Sequence, residues 1–318
     1  MHVKNSICFD WISFTYRKND INYIFRLLGA KDLDFVRLSG YHGYKVRYFF
    51  DGISISVGSG RGDIWVEMTG QGCRTFENTC KRSFEDLICD IIDGGELFNI
   101  ARLDVAYDDF CGLLDIDLIE RETSLHNYVS CFRSARLNKE FHSNAKTIYF
   151  GSCKSSIMFR IYNKAAEQKI EDECSHWIRF EMQLRDERAY NFALMYCMND
   201  YNIGYVFSGV VNNYIRFVER SDGRIYNDDV ADWWLKFVNS CDKIRLYGDK
   251  KDSFNITDVA GYVINQAGNA IDCILNAFGI DKFVDMIKQR NIKRNVKYDI
   301  ALDNYYSECF KHGYGIPF

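Results

Sequence analysis

Arg102-Leu-Asp104-Val-Ala-Tyr-Asp108 is the stretch that decides the fold. Read as a strand, it alternates faces residue by residue. Arg102, Asp104 and Asp108 then share one face, and Leu103, Val105 and Tyr107 the other. Two later stretches repeat the arrangement. Arg160-Ile-Tyr162-Asn-Lys164 groups Arg160, Tyr162 and Lys164. Arg179-Phe-Glu181-Met-Gln183-Leu-Arg185 sets Arg179, Glu181, Gln183 and Arg185 opposite Phe180, Met182 and Leu184. A fourth stretch, Trp65-Val-Glu67-Met-Thr69, offers Glu67 beside Val66 and Met68. Such alternation belongs to an antiparallel sheet with one packed face and one wet face. For any single strand, ordinary surface explains the polar side. Three strands that open with Arg and carry Asp, Tyr or Glu two residues on are harder to dismiss. As neighbours they would gather carboxylates, a tyrosine and cations on one face.

The flanking sequence is consistent with that sheet. Ile7 to Tyr16 reads as a strand, and Asn19-Asp20 caps a short helix, Ile21 to Leu28, stopped by Gly29. Residues 35–69 read as a β-meander punctuated at Gly40, Gly43, Asp51-Gly52 and Gly58-Ser59-Gly60. Thr75 to Ile92 reads as one helix, Asn99 to Phe110 as a strand and Leu118 to Phe132 as a helix. Strands follow at Lys146–Gly151, Ile157–Lys164 and Trp177–Arg185, then a helix through Met198. From Tyr205 the pattern is mainly helical, with an amphipathic stretch from Val259 to Phe278. No internal repeat is visible. The expected class is α+β, with an antiparallel-sheet domain over residues 1–230 and a mainly helical region over 231–318.

Composition removes several alternatives. The chain has 318 residues, with 47% hydrophobic and 26% charged, which excludes a disordered polymer. Its 24 Phe, 21 Tyr and 5 Trp can fill a large core. The 12 cysteines form no CxxC pair and no zinc-like spacing, so they read as reduced thiols. With no signal-like opening and no apolar run long enough to span a bilayer, a cytoplasmic protein without membrane contact is expected. A net charge of −4 argues against DNA binding by global charge but leaves room for a local basic groove. No Walker A motif occurs, and Gly70-Gln-Gly72 lacks the strand-to-helix fingerprint of a nucleotide site.

The residue types on the polar face suit phosphodiester chemistry. Carboxylates bind hard divalent cations, which polarise phosphoryl oxygens. Arg and Lys hold flanking phosphates, and tyrosine can attack as a covalent nucleophile. Tyr149 is the nearest rival to Tyr162 for that role.

Four runs carry a family resemblance. They are Asn99-Ile-Ala-Arg-Leu-Asp-Val-Ala-Tyr-Asp-Asp109, Thr147-Ile-Tyr-Phe-Gly-Ser152, Arg160-Ile-Tyr-Asn-Lys164 and Trp177-Ile-Arg-Phe-Glu181. In this order they resemble the replication initiation factor family of rolling-circle plasmids (the Rep_trans type), which includes related conjugative relaxases. Val66-Glu-Met-Thr-Gly-Gln-Gly-Cys-Arg74 is similar to that family's glycine-containing segment. The likeness covers roughly residues 5–290.

The resemblance implies a sheet-based nicking domain, HUH-endonuclease-like but without the HUH motif. It implies a protein that nicks one origin strand, stays joined to the 5′ phosphate through a tyrosine, and later rejoins the ends with Mg²⁺ or Mn²⁺. Carried over, Tyr162 is the nucleophile, and Asp104, Glu181 and more weakly Asp108 and Glu67 are metal ligands. Arg160, Lys164 and Arg179 bind phosphates. His142 and His176 are candidates for a third ligand or a base. Read from the residues, Arg290, Lys293 and Arg294, with Lys288 and Lys297, form a basic stretch that fits either duplex recognition or a solvated basic helix end. Lys45 and Arg47 can add phosphate contacts, and Trp177 or Phe141 can stack bases. Expected partners are origin DNA, a host helicase and a second copy of the chain. The alternatives are a conjugative relaxase, a non-catalytic DNA-binding protein on the same scaffold, and a protein-interaction module. The strand at the N-terminus leaves no room ahead of it for a helix-turn-helix domain, which favours an initiator, or a relaxase lacking such a domain.

Overall fold

The computed structural model describes residues 4–139, 146–170, 174, 176–221, 223–238, 268 and 270–289. Its centre is a pair of long antiparallel strands, β1 (Ser6–Tyr16) and β6 (Phe98–Asp109). A meander extends the sheet on each side. On the first side lie β2 (Val36–Ser39), β3 (Val46–Phe50), β4 (Ile53–Val57) and β5 (Ile64–Met68), with β5 returning beside β1. On the second lie β8 (Ala135–Lys139), β9 (Lys146–Phe150), β10 (Ile157–Asn163) and β11 (Ile178–Arg185), with β11 returning beside β6. The result is one ten-stranded sheet in the order β2-β3-β4-β5-β1-β6-β11-β10-β9-β8.

This order contains a repeat that the sequence hides. Each half runs as a long strand, a helix, a four-strand meander that returns to the long strand, and then two helices. In the first half the helices are α1 (Ile21–Leu27), then α2 (Gly70–Thr79) and α3 (Phe84–Asp93). In the second they are α4 (Ile116–Ser124), then α6 (Glu187–Met198) and α7 (Ile203–Tyr214), with a short α5 (Lys164–Gln168) inserted before β11. The duplication lies in topology, and the side chains have diverged too far to display it.

Helices cover one face of the sheet. Ile12, Phe14, Ile55, Val66, Val105, Phe159, Phe180 and Met182 face them and are fully or almost fully buried. Each such side chain contributes roughly 1.5–3 kcal/mol relative to exposure. Phe9 packs on Phe84 and Tyr196, and Phe180 on Phe207. The alternation expected for the sheet strands is therefore present, and the opposite face carries the polar residues.

Three element assignments change. The expected helix from Thr75 is two helices, because Ser83 accepts from the Asp86 amide and Asp86 returns the bond, a capping box that starts α3 afresh. The expected helix to Phe132 stops at Ser124, and Tyr128–Ser130 forms β7. Tyr128 packs on Phe150 and Phe217, which rewards the extended conformation. The region after Tyr205 is also not all helix, since β12 (Ile215–Phe217) follows α7 and pairs with β7.

The chain divides into compact units at Met1–Leu246 and Tyr247–Phe318. Helix α8 (Asp232–Val238), expected in the helical region, packs within the first unit. Its Trp234 is fully buried against Phe180, Phe217 and Phe237. In the second unit residues 270–278 are helical, and α9 (Ile280–Lys288) is amphipathic. Most of Val259–Phe278 and the basic residues Arg290, Lys293, Arg294 and Lys297 lie outside the described residues. No described helix is long and apolar enough to cross a membrane.

Candidate active site

Register decides which polar residues meet. Residues directly opposite in an antiparallel pair share a face. On the open face Thr147, Tyr162, Arg179 and Asp108 form one row across β9, β10, β11 and β6. The next row is Tyr149, Arg160, Glu181 and Ala106. The third is Met158, Gln183, Asp104 and Trp11, which continues onto β1. The three stretches that decided the fold are thus adjacent strands, and their polar sides form one surface.

The centre of that surface is Tyr162, 4% exposed. Its hydroxyl lies 3.4 Å from Glu181 Oε2 and donates to it. Arg160 donates to the same oxygen at 2.6 Å. The Arg160 guanidinium also lies 4.9 Å from the centre of the Tyr162 ring, and Lys164 Nζ 5.6 Å. Burial raises the Tyr162 phenol far above its ordinary value, and the Glu181 charge raises it further. Burial likewise raises the Glu181 and Asp104 carboxyls, against the pull of Arg160 and Arg102.

Each carboxylate has its own guanidinium. Arg102 grips Asp104 through Nε at 2.9 Å and Nη2 at 2.5 Å, and stacks 4.2 Å over Trp11. Arg179 grips Asp108 at 2.7 and 2.8 Å, and Trp177 Nε1 donates to the same carboxylate at 2.6 Å. Arg179 also pairs with Asp10 at 3.1 Å. Asp10 was missed in the sequence because a bulge between Phe9 and Trp11 breaks the alternation there. The unbroken polar-aromatic pair Asp10-Trp11 inside a strand was the available signal.

Lys164 and Trp177 border this cluster, and the remaining candidates lie elsewhere. Lys164 begins α5 rather than continuing β10, and it pairs with Glu167. Glu67 accepts from the Tyr41 hydroxyl at 3.1 Å in the first half of the sheet. His176 is 3.0 Å from Asp109 Oδ2, and Asp109 also accepts from the Leu114 and Cys111 amides, so His176 anchors a loop. Trp177 is held by Asp108 and packs on Phe110. Lys45 joins the turn before β3, and Arg47 stacks on Tyr41 and Phe49. His142 and Phe141 lie outside the described residues. The clefts of about 500 and 310 Å³ lie by α2–α3 and by α7–α8, away from this open face.

The carboxylates do not assemble as a cation site. Asp104, Asp108 and Glu181 sit in separate rows, each closed by an arginine. Among the described residues no three His, Cys, Asp or Glu side chains come together at metal-holding distance. The arrangement as it stands fits an anion better, since several guanidiniums line the face and a phosphate can compete for them.

The two halves differ at the equivalent positions of this face. In the first half Ser54 faces Glu67 where Arg160 faces Glu181. Ser56 faces Trp65 where Tyr162 faces Arg179. Serines therefore stand at the register positions of Arg160 and Tyr162, and in the first copy Glu67 meets its phenol, Tyr41, from outside the strand pair, with Arg47 over that ring.

A family model for replication initiation factors matches residues 98–290, the half that holds Tyr162, Glu181 and Arg160. The chain belongs to the replication initiation factor family. A second model, for the N-terminal domain of rolling-circle replication initiation proteins, matches residues 6–88 of this initiation factor. A putative DNA relaxase, NicK of Bacillus subtilis (strain 168), is 28% identical over 264 residues, covering 77% of this chain and 74% of NicK. The solved rolling-circle replication initiator protein from Geobacillus stearothermophilus is 30% identical, with a TM-score of 0.68. That match covers 77% of this chain and 99% of the solved one. The initiation factor thus has the α+β fold of a rolling-circle initiator.

Proposed function

We propose that this initiation factor nicks and rejoins one strand of its origin through Tyr162. The observation that carries the reading is the convergence of Tyr162 and Arg160 on one oxygen of Glu181. A scissile phosphate entering the face competes for the Arg160 guanidinium. Glu181 is then released from its cation and accepts the Tyr162 proton. The Tyr162 oxygen forms a bond to phosphorus, and the bond from phosphorus to the 3′ oxygen breaks. The leaving 3′ oxygen gains a proton from water, and the 5′ phosphate stays on Tyr162. Reversal by a 3′ hydroxyl rejoins the strand. Arg160 and Arg179 hold the charge that grows on the phosphoryl oxygens.

Origin DNA is the partner this reading requires, and residues 231–318 are proposed for duplex recognition. A host helicase and a second copy of the chain are its further expected partners. Mg²⁺ or Mn²⁺ is the cofactor expected from the family. The similarity to NicK favours one second reading, transfer of a conjugative element by the same chemistry.

The test mixes purified protein with single-stranded oligonucleotides spanning the origin, with Mn²⁺ or with EDTA. A denaturing gel reads the protein–DNA adduct for wild type and Tyr162→Phe. An adduct lost only in the variant supports the reading. An adduct that survives in Tyr162→Phe sinks it and points to Tyr149. Loss with EDTA assigns metal dependence, and persistence removes it.

A further inference from the structure

The open face continues past Tyr162 to the sheet edge, and its last cation has no carboxylate partner among the described residues. Arg136 on β8 lies directly opposite Tyr149 on β9, and Tyr149 directly opposite Arg160 on β10. The Arg136 guanidinium lies 4.8 Å from the centre of the Tyr149 ring. Asn138 and Thr147 form the neighbouring pair, and Thr147 is opposite Tyr162. The edge therefore presents a stacked guanidinium and ring beside two hydrogen-bonding side chains, one row from the nucleophile.

The charges distinguish this patch from its surroundings. Arg102, Arg160 and Arg179 are each paired with a carboxylate, and Arg185 donates to Gln183 Oε1 at 3.2 Å. On the other face of the same two strands, Lys139 and Lys146 are neutralised by Glu120 and Asp117 of α4. Arg136 is exposed and has no carboxylate partner among the described residues. A cation kept unpaired, in line with the site and laid on an aromatic ring, suits a ligand that carries both a phosphate and a flat base.

We infer that Arg136 and Tyr149 form a subsite for an unpaired nucleotide flanking the scissile phosphate. The base stacks on the guanidinium plane that covers Tyr149, and the in-plane N–H groups of Arg136 donate to the adjoining phosphate. Tyr149 thereby acts through its ring and not as a nucleophile. The inference rests on the proposed nicking site, since it borrows that site's strand.

Its test measures binding and adduct formation separately. A fluorescein-labelled single-stranded origin oligonucleotide is titrated into the full chain and followed by anisotropy at several salt concentrations. Arg136→Ala and Tyr149→Leu should each weaken binding by about tenfold. Tyr149→Phe, which keeps the ring, should restore wild-type binding, and Arg136→Lys should fall between wild type and Arg136→Ala. Arg136→Ala should also flatten the salt slope by about 0.7, one single-strand phosphate contact. Arg136 is exposed on an edge strand, so its removal leaves the fold intact, which a thermal melt verifies. Wild-type binding by Arg136→Ala, or equal loss in Tyr149→Phe and Tyr149→Leu, would overturn the subsite. If wild type forms the adduct while Arg136→Ala binds normally, the subsite alone fails. If binding depends on Arg136 but no adduct forms, the subsite stands and the nicking reading fails.

Discussion

Tyr162 and Arg160 donate to the same Glu181 oxygen, at 3.4 and 2.6 Å. The Arg160 guanidinium thus holds the same oxygen that accepts from the Tyr162 hydroxyl. In the proposed mechanism this relationship couples substrate arrival to base activation. A phosphate that draws Arg160 away leaves Glu181 free to take a proton.

A pH prediction follows from the direction of the Glu181 shift. Burial raises its carboxyl above the ordinary 4.5. Only the ionised form can accept the Tyr162 proton. Nicking should therefore rise with pH as Glu181 deprotonates, with a midpoint above the ordinary carboxylate value. Glu181→Gln should lower the rate by about 10²–10⁴-fold and flatten that limb. A pH–rate profile of adduct formation checks it, and an unchanged limb in Glu181→Gln removes Glu181 as the base.

Arg179 is 8% exposed and holds both Asp108 and Asp10. Arg179→Ala leaves the buried Asp108 charge without its partner. The expected loss is about 3–5 kcal/mol in urea unfolding. A loss below about 1 kcal/mol, the scale of a surface pair, would show that water reaches Asp108 freely.

Gly52 and Gly72 approach each other's backbones. A Cβ built on Gly52 would sit 2.3 Å from the Gly72 nitrogen, and one on Gly72 would sit 2.2 Å from the Gly52 oxygen. Gly52 also has a φ of +85°. Gly52→Ala and Gly72→Ala should each cost more than the ~1 kcal/mol of a typical substitution. Thermal melts of both variants check this, and unchanged melting temperatures would disprove the close approach. The Gly70-Gln-Gly72 segment thereby has a packing role and needs no nucleotide.

Trp234 ties α8 to the sheet through Phe180 and Phe217. Trp234→Ala should destabilise the first unit by about 3–5 kcal/mol. A truncation at residue 230 should be destabilised in the same direction. Wild-type stability in either would detach α8 from that core.

The strands were legible because their signal is local. Alternation in Arg102–Asp108 and Arg179–Arg185 assigns faces before any partner is known. The helix errors have a different origin. Residues 75–92 carry continuous helical periodicity, and only the Ser83–Asp86 capping exchange reveals the break. Residues 118–132 turned on whether Tyr128 finds Phe150 and Phe217, which are 22 and 89 residues further along the chain. The internal repeat was hidden because Ser54 and Ser56 stand where Arg160 and Tyr162 stand in the second copy.

The candidate site divides the same way. Arg160, Tyr162 and Glu181 could be chosen from the sequence because each sits on the polar parity of its strand. Asp10 could not, since a bulge reverses parity at one residue. The pairing of Asp108 and Glu181 with arginines was also out of reach, because those partners depend on register between strands, with Asp108 and Arg179 71 residues apart. The sequence by itself determined the strand faces, the residue types on the polar side and the family likeness, since these follow from the period of two along the chain. The tertiary structure alone decided that β10, β11 and β6 are neighbours, that Glu181 serves both Tyr162 and Arg160, and that Arg136 at the edge has no carboxylate partner among the described residues. Those facts depend on register across long loops, where a shift of one residue would turn every side chain to the other face.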